Sequence, residues 1–153
     1  MPLIPYNETF LLSFSTVERP FTNWSAHRLA IWGQQFPTVE HAYQYKKFEG
    51  SDLAWAQHIQ ASKSPYEAQH LANQKSINRN SWDVIREVIM LELLKTKLEQ
   101  HEDVRFALAE TGNQIIVEAG NGQDTFWGVG KDGKGQNRLG KIWMHLRQDR
   151  MRI

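Results

Sequence analysis

Between Ser81 and Gln100 the apolar residues Val84, Val88, Leu91, Leu94 and Leu98 return at intervals of three and four residues. That repeat marks one side of an α-helix; a strand would alternate every second residue. The stretch therefore predicts the longest helix of the chain, with these five residues in the core. Shorter helices precede it. Pro37-Thr38 opens one over roughly Thr38 to Phe48, with Thr38 as N-cap and Gly50 as a stop. Ser51-Asp52 caps a second, to about Gln60, and Ser64-Pro65-Tyr66-Glu67 is a capping box with proline at the first helical position. After the long helix, another runs from Asp103 to Thr111-Gly112, and a last one passes through Trp143 and Leu146. Two strands are expected. One runs from Arg28 to Trp32, before Gly33 and inside a mixed, turn-rich stretch from Asn7 to Phe36. The other runs from Gln114 to Ala119, ahead of a glycine-rich passage from Gly120 to Gly140. Strands and crossover helices do not alternate, which argues against a doubly wound parallel sheet and for a mainly α fold with a small β component, an α+β class.

A chain of 153 residues with 41% hydrophobic and 23% charged residues suits one globular domain. It has no internal repeat, low-complexity tract or linker-like stretch, so residues 1–153 read as a single domain. No apolar run approaches the roughly 20 residues of a membrane span. The opening from Met1 to Glu8 lacks the basic region and apolar stretch of a secretory signal, so a cytoplasmic protein without a membrane partner is expected. With no cysteine, disulfides, thiolate metal sites and cysteine nucleophiles are excluded. A formal net charge of +1 gives no general basic field, so non-specific nucleic-acid binding is not expected and any phosphate site must be local. Six tryptophans are either core fillers or, in part, a stacking surface for a ring.

Several familiar strings fail on inspection. Gly128 to Gly133 spells G-x-G-x-x-G without a strand–turn–helix context, and it nearly spells a P-loop, but Gly135 stands where a hydroxyl must hold magnesium. None of the six histidines forms H-E-x-x-H, so no metal is expected. The glycine-rich turn is either a surface loop or a nest of amides for an anion.

Three places carry usable chemistry. On the Thr38 helix, Glu40, Gln44 and Lys47 fall at i, i+4 and i+7, which sets an acid, an amide and an amine on one face. The same pattern fits a solvated side with an ordinary ion pair, but Phe36, Tyr43 and Phe48 flank it with apolar bulk, and a partly buried carboxylate needs a reason. At the start of the long helix, Trp82 offers a planar ring, while Arg79 and the free amides of the helix end suit a phosphate; a capped helix with a core tryptophan is the alternative. Asp124 stands in a tight turn with Phe126, Trp127 and Gly128, and by itself reads as a turn residue.

Taken together, Phe21 to Ser25, Phe36 to Phe48, Ser81 to Asp83, Thr111-Gly112, Val117-Glu118, Asp124, Trp127 to Gly130 and Gly135 to Gly140 resemble the NADAR or YbiA-like family in type and order, over about Phe14 to Arg147. The combination T-V-E-H-x-x-Q-x-x-K-F, W-G-x-G and G-x-N-x-L-G is specific, although Ser81 stands where relatives commonly have aspartate. The resemblance implies a compact, largely helical YbiA-like domain that needs no cofactor and breaks a bond from ribose C1 to an amino nitrogen. Its substrates would be phosphoribosylamino-pyrimidines, the early intermediates of riboflavin biosynthesis, or ADP-ribosylated guanine. Nucleic acid would be a partner only in the second case.

The resemblance also places the family's acids on Glu40 and Asp124, its aromatic on Trp82 and its helix lysine on Lys47. Gln44 and Trp127 join Trp82 in the expected substrate-binding set. Glycosidic cleavage builds positive charge at C1 and negative charge on the leaving nitrogen, so two carboxylates can divide the work, with Trp82 stacking on the base. Alternatively, Lys47 exchanges with the leaving amine to form a Schiff base. Arg79, Lys46, Asn137 and Arg138 are the expected phosphate holders. The competing reading from another class is a non-catalytic sensor of a nucleotide or ADP-ribose, which needs Trp82 and the basic residues but not both acids.

Overall fold

The computed structural model describes residues 10–11, 20–119 and 123–151. The opening from Met1 to Glu8, most of the following stretch to Glu18, and Gly120 lie outside these residues. In chain order the elements are β1 (Phe10–Leu11), β2 (Leu29–Ile31), β3 (Gln34–Phe36), α1 (Val39–Phe48), α2 (Leu53–Gln60), α3 (Pro65–Ala72), α4 (Arg79–Gln100), α5 (Glu102–Glu110), β4 (Ile115–Ile116) and α6 (Arg138–Met151). The class is mainly α with a small β component. No helix among the described residues is long and apolar enough to cross a membrane. The chain divides into two compact units, Asn23–Gln100, and Met1–Thr22 with His101–Ile153.

In the unit Asn23–Gln100, the expected strand is one arm of an antiparallel hairpin that pairs Leu29 with Phe36 and Ile31 with Gln34. The second arm, β3, is absent from the reading of the sequence. Its turn consists of Trp32 and Gly33, both at positive φ (55° and 71°), which is the backbone of a two-residue primed turn. A tryptophan is an unusual residue to hold there. Its ring is fixed by Nε1 donating to Glu92 Oε1 at 3.0 Å and by edge contact with Phe36.

The helix starts follow the caps. Thr38 Oγ1 accepts from His41 N at 3.1 Å to open α1, Asp52 Oδ1 from Trp55 N at 3.1 Å to open α2, and Ser64 Oγ from Glu67 N at 3.0 Å to open α3. The capping box is not closed in the usual way: Glu67 Oε2 accepts from Lys63 N, one residue before the cap. Helix α4 begins two residues earlier than expected, because Asn78 caps it through Ser81 N.

The buried face of α4 is not the one the repeat selects. Val84 is 79% exposed and Val88 66%, whereas Trp82, Ile89, Met90, Leu93, Leu94, Lys97 and Leu98 are buried. Two helically spaced apolar series run along this helix. They share Leu94 and Leu98 near its C-terminal end but diverge by about half a turn at its start. The helices α1, α2 and α3 pack on one another, and α4 packs on α1 and on β2, burying Phe36, Ala42, Ala56, Ile59, Leu93 and Leu94 completely.

In the other unit, β4 is shorter than the strand expected from Gln114 to Ala119 and pairs in parallel with β1. The ladder stops because Asn137 takes over. Its Nδ2 donates to Ile116 O at 3.0 Å and its Oδ1 accepts from Glu118 N at 2.9 Å. Trp143 on α6 is fully buried, with Nε1 donating to Phe21 O at 3.0 Å and its ring against that of Phe21. Arg147 ties the end of α5 to the approach to β4 through Thr111 Oγ1 and Gln114 O, each at 2.8 Å.

Candidate active site

The N-terminus of α1 is pinned at two levels. Glu40 N donates to Asn23 O at 3.0 Å, and His41 is clamped on both ring nitrogens, Nδ1 by Thr38 Oγ1 at 2.8 Å and Nε2 by Ser62 O at 3.1 Å. Because the Ser62 carbonyl can only accept, Nε2 carries the ring hydrogen and donates to it, so in the neutral ring Nδ1 accepts from the Thr38 hydroxyl, whose oxygen also accepts from His41 N. Burial keeps this imidazole below its ordinary pKa, against the smaller opposing effects of the Ser62 carbonyl and Glu67. His41 is thus a neutral strut that aims the helix.

On the face so aimed, Glu40 is buried, and its Oε1 accepts from Gln44 Nε2 at 2.8 Å. The amide orientation is dictated by this bond, since the reverse would set two oxygens against each other. It leaves Gln44 Oε1 buried without a hydrogen-bond partner. One turn on, the Lys47 ammonium lies 5.1 Å from the ring centre of Tyr43 and 5.9 Å from that of Trp82. Burial pushes the Lys47 pKa below its usual value; Glu40 opposes this, Arg79 and Arg86 add to it, and Asp83 opposes it. Trp82 itself is only 5% exposed and meets Tyr43 edge-on at 5.2 Å. It walls the lysine in, and does not stand out as an open stacking platform.

An open cavity of about 250 Å³ adjoins this group, lined by Lys47, Asn73, Lys75, Ser76 and Arg79, with Ala72 and Ile77. Arg79 is exposed, pairs with Asp83 at 3.2 Å and sits on the rim. Lys46 faces elsewhere: it pairs with Glu49, and its ammonium lies 4.5 Å from the Trp32 ring centre. Of the expected site residues, the unit Asn23–Gln100 therefore brings together Glu40, Gln44, Lys47, Trp82 and Arg79, and leaves Lys46 aside. Lys75 and Ser76 were not legible as site residues, because an exposed connection with no periodicity gives them no signal.

The remaining expected residues belong to the other unit. Asp124 is exposed; its Oδ1 accepts from Phe126 N at 2.9 Å and Trp127 N at 2.8 Å, an Asx turn that orients the carboxylate. Trp127 stands edge-on to Phe126 at 4.7 Å, and Arg138 bonds Gln136 and lies over the Phe126 ring. Asn137 is 6% exposed, in left-handed backbone at φ 51°, with both ends of its amide spent on Ile116 and Glu118. These two bonds give Asn137 a structural role. Glu118 is a buried acid that the sequence reading did not nominate; its backbone oxygen accepts from Val129 N at 2.8 Å, and a side chain at Gly128 would come within 2.7 Å of that oxygen.

Comparison with known proteins adds four findings. The family model described as NADAR domain matches residues 9–151. The chain is 38% identical over 131 residues to a protein of Nostoc punctiforme (strain ATCC 29133 / PCC 73102) named N-glycosidase Npun_R5314, covering 84% of this chain and 83% of that one. It is 30% identical over 161 residues to the chloroplastic riboflavin biosynthesis protein PYRR of Zea mays, covering 95% of this chain and 26% of that protein. The NMR structure of Escherichia coli YbiA superposes with a TM-score of 0.78 at 30% identity, covering 97% of this chain and 92% of that one.

Proposed function

The chain belongs to the NADAR family, and from that premise we propose that it is an N-glycosidase that separates ribose 5-phosphate from the amino group of early riboflavin-pathway pyrimidines. The relative named N-glycosidase supports the reaction class, and the relative named for riboflavin biosynthesis supports the substrate. A cytoplasmic location goes with this reading, and so does the action of residues 1–153 as one functional domain.

The observation that carries the mechanism is the setting of Lys47, an amine depressed in pKa by burial, on the same helix face and two turns from the Glu40 carboxylate held by Gln44. A ribosylamine opens to an imine between C1 and the pyrimidine nitrogen. The neutral Lys47 Nζ adds to C1, and a proton passes from Nζ to the pyrimidine nitrogen, with Glu40 as carrier. The second Nζ hydrogen then passes to the same nitrogen as its bond to C1 breaks, so the pyrimidine leaves as the free amine with that electron pair and C1 becomes doubly bonded to Nζ. Water adds to the C1–Nζ imine and releases the aldehyde of ribose 5-phosphate and free Lys47. Asp124 is assigned as second acid on the family resemblance, with its orientation fixed by the Asx turn.

The test is turnover of the ribosylamino-pyrimidine phosphate in the presence of borohydride, with ADP-ribosylated guanine DNA in parallel. The expected result is ribose 5-phosphate released from the pyrimidine and a reduced pentose phosphate adduct on Lys47 by mass spectrometry. Release from DNA alone would move the substrate to the modified base. Turnover without any adduct would leave the chemistry to the carboxylates.

A further inference from the structure

The cavity beside Lys47 has a lining of one sign. Lys47, Lys75 and Arg79 contribute three cations, Asn73 an amide and Ser76 a hydroxyl, and no carboxylate lines it. Two of these cations pair with acids that do not line the cavity: Asp52 Oδ2 accepts from Lys75 Nζ at 2.9 Å, and Asp83 Oδ1 lies 3.2 Å from Arg79 Nη2. The Lys75 ammonium also rests 4.3 Å from the ring centre of Trp55. One of its three donors is spent on Asp52, so the head group is positioned while donors remain for a ligand. At about 250 Å³ the space falls below the roughly 300–1,000 Å³ of pockets for drug-sized ligands, and suits a phosphate with part of a sugar.

We propose that Asn73, Lys75, Ser76 and Arg79 form the binding site for the phosphate monoester of the substrate, with Lys75 its principal charge. The inference rests on the reading above that the substrate is a phosphorylated ribosylamine. A dianion seated on this wall occupies the same cavity as Lys47, so the phosphate anchors the sugar end of the substrate where the amine can reach it. Arg79 alone among the expected phosphate holders lines this cavity, and the connection between α3 and α4 supplies the rest.

The experiment compares two substrates, the ribosylamino-pyrimidine 5′-phosphate and the same compound without phosphate, on the wild type, Lys75→Met and Lys75→Arg. Methionine keeps an apolar stem against Trp55 and removes the charge. For the phosphorylated substrate Lys75→Met should raise KM about 10- to 100-fold with little change in kcat, the factor for one charge-assisted hydrogen bond. For the unphosphorylated one kcat/KM should not move. Inorganic phosphate should compete with substrate in the wild type, weaken as an inhibitor in Lys75→Met by a similar factor, and recover in Lys75→Arg. An equal loss with both substrates, or none with either, overturns the proposal. Direct titration of wild type and Lys75→Met with inorganic phosphate by calorimetry decides the anion site independently of turnover. A wild type that binds phosphate through Lys75 but cleaves neither substrate would refute the glycosidase reading and leave this one standing.

Discussion

A lysine with two aromatic rings about it and a carboxylate two turns away on the same face has no packing reason to be there, since a methionine would fill the space at lower desolvation cost. Lys47 is in that position. Because burial lowers its pKa from 10.5, the free amine proposed to attack C1 grows with pH with a midpoint below 10.5. Single-turnover rate against pH should therefore rise with its midpoint below that value. Lys47→Arg, which keeps the charge and cannot deprotonate, should lose at least about 10³-fold in kcat with an unchanged circular dichroism spectrum. A residual rate within tenfold of wild type would remove Lys47 from the chemistry. At this scale the sequence was informative where helix geometry alone sets the answer: Glu40, Gln44 and Lys47 share a face by their spacing. It left Trp82 open between a stacking ring and a core tryptophan, because its burial depends on Tyr43 arriving from another helix.

Helix α1 is aimed by a neutral histidine, and this makes its docking sensitive to acid. The folded pKa of His41 lies below the ordinary 6.5, so between the two values the unfolded chain binds more protons. Stability from this group is complete above about 6.5 and is lost as pH falls through the folded value. Urea unfolding should show ΔG decreasing from about pH 7.5 to about pH 5.5, and the decrease should be smaller in His41→Gln. Helix α4 gives a second test. Val84→Lys and Val88→Glu should change stability by less than about 0.5 kcal/mol, whereas Leu93→Ala should cost about 2–5 kcal/mol. The reverse order would mean that the exposed series is covered in solution. Caps such as Thr38, Asp52 and Ser64 were readable because each acts on an amide two or three residues away. The choice between the two apolar series of α4 was not, because both have helical spacing.

For the whole molecule, the elements that close the unit holding Asp124 are single polar groups. Asn137 replaces a strand: it stops the β4 ladder, holds Glu118 N and accepts left-handed backbone, which asparagine tolerates. Asn137→Ala leaves a buried donor and a buried acceptor unpaired and should cost about 2–4 kcal/mol in urea unfolding. A loss below 0.5 kcal/mol would mean the amide is not a pin. Membership of the NADAR family was legible from the sequence because motif residues at Phe36–Phe48, Trp127–Gly130 and Gly135–Gly140 carry type and order together. By itself the sequence determined the helices, their caps, the α+β class and the shared face of Glu40, Gln44 and Lys47, all consequences of interactions within a few residues. Tertiary structure alone decided which side of α4 is buried, that Trp82 is walled in, that Asn137 is structural and that Lys75 faces the Lys47 cavity. Those outcomes depend on groups far apart in the chain competing for the same space and the same hydrogen bonds, which no local pattern encodes.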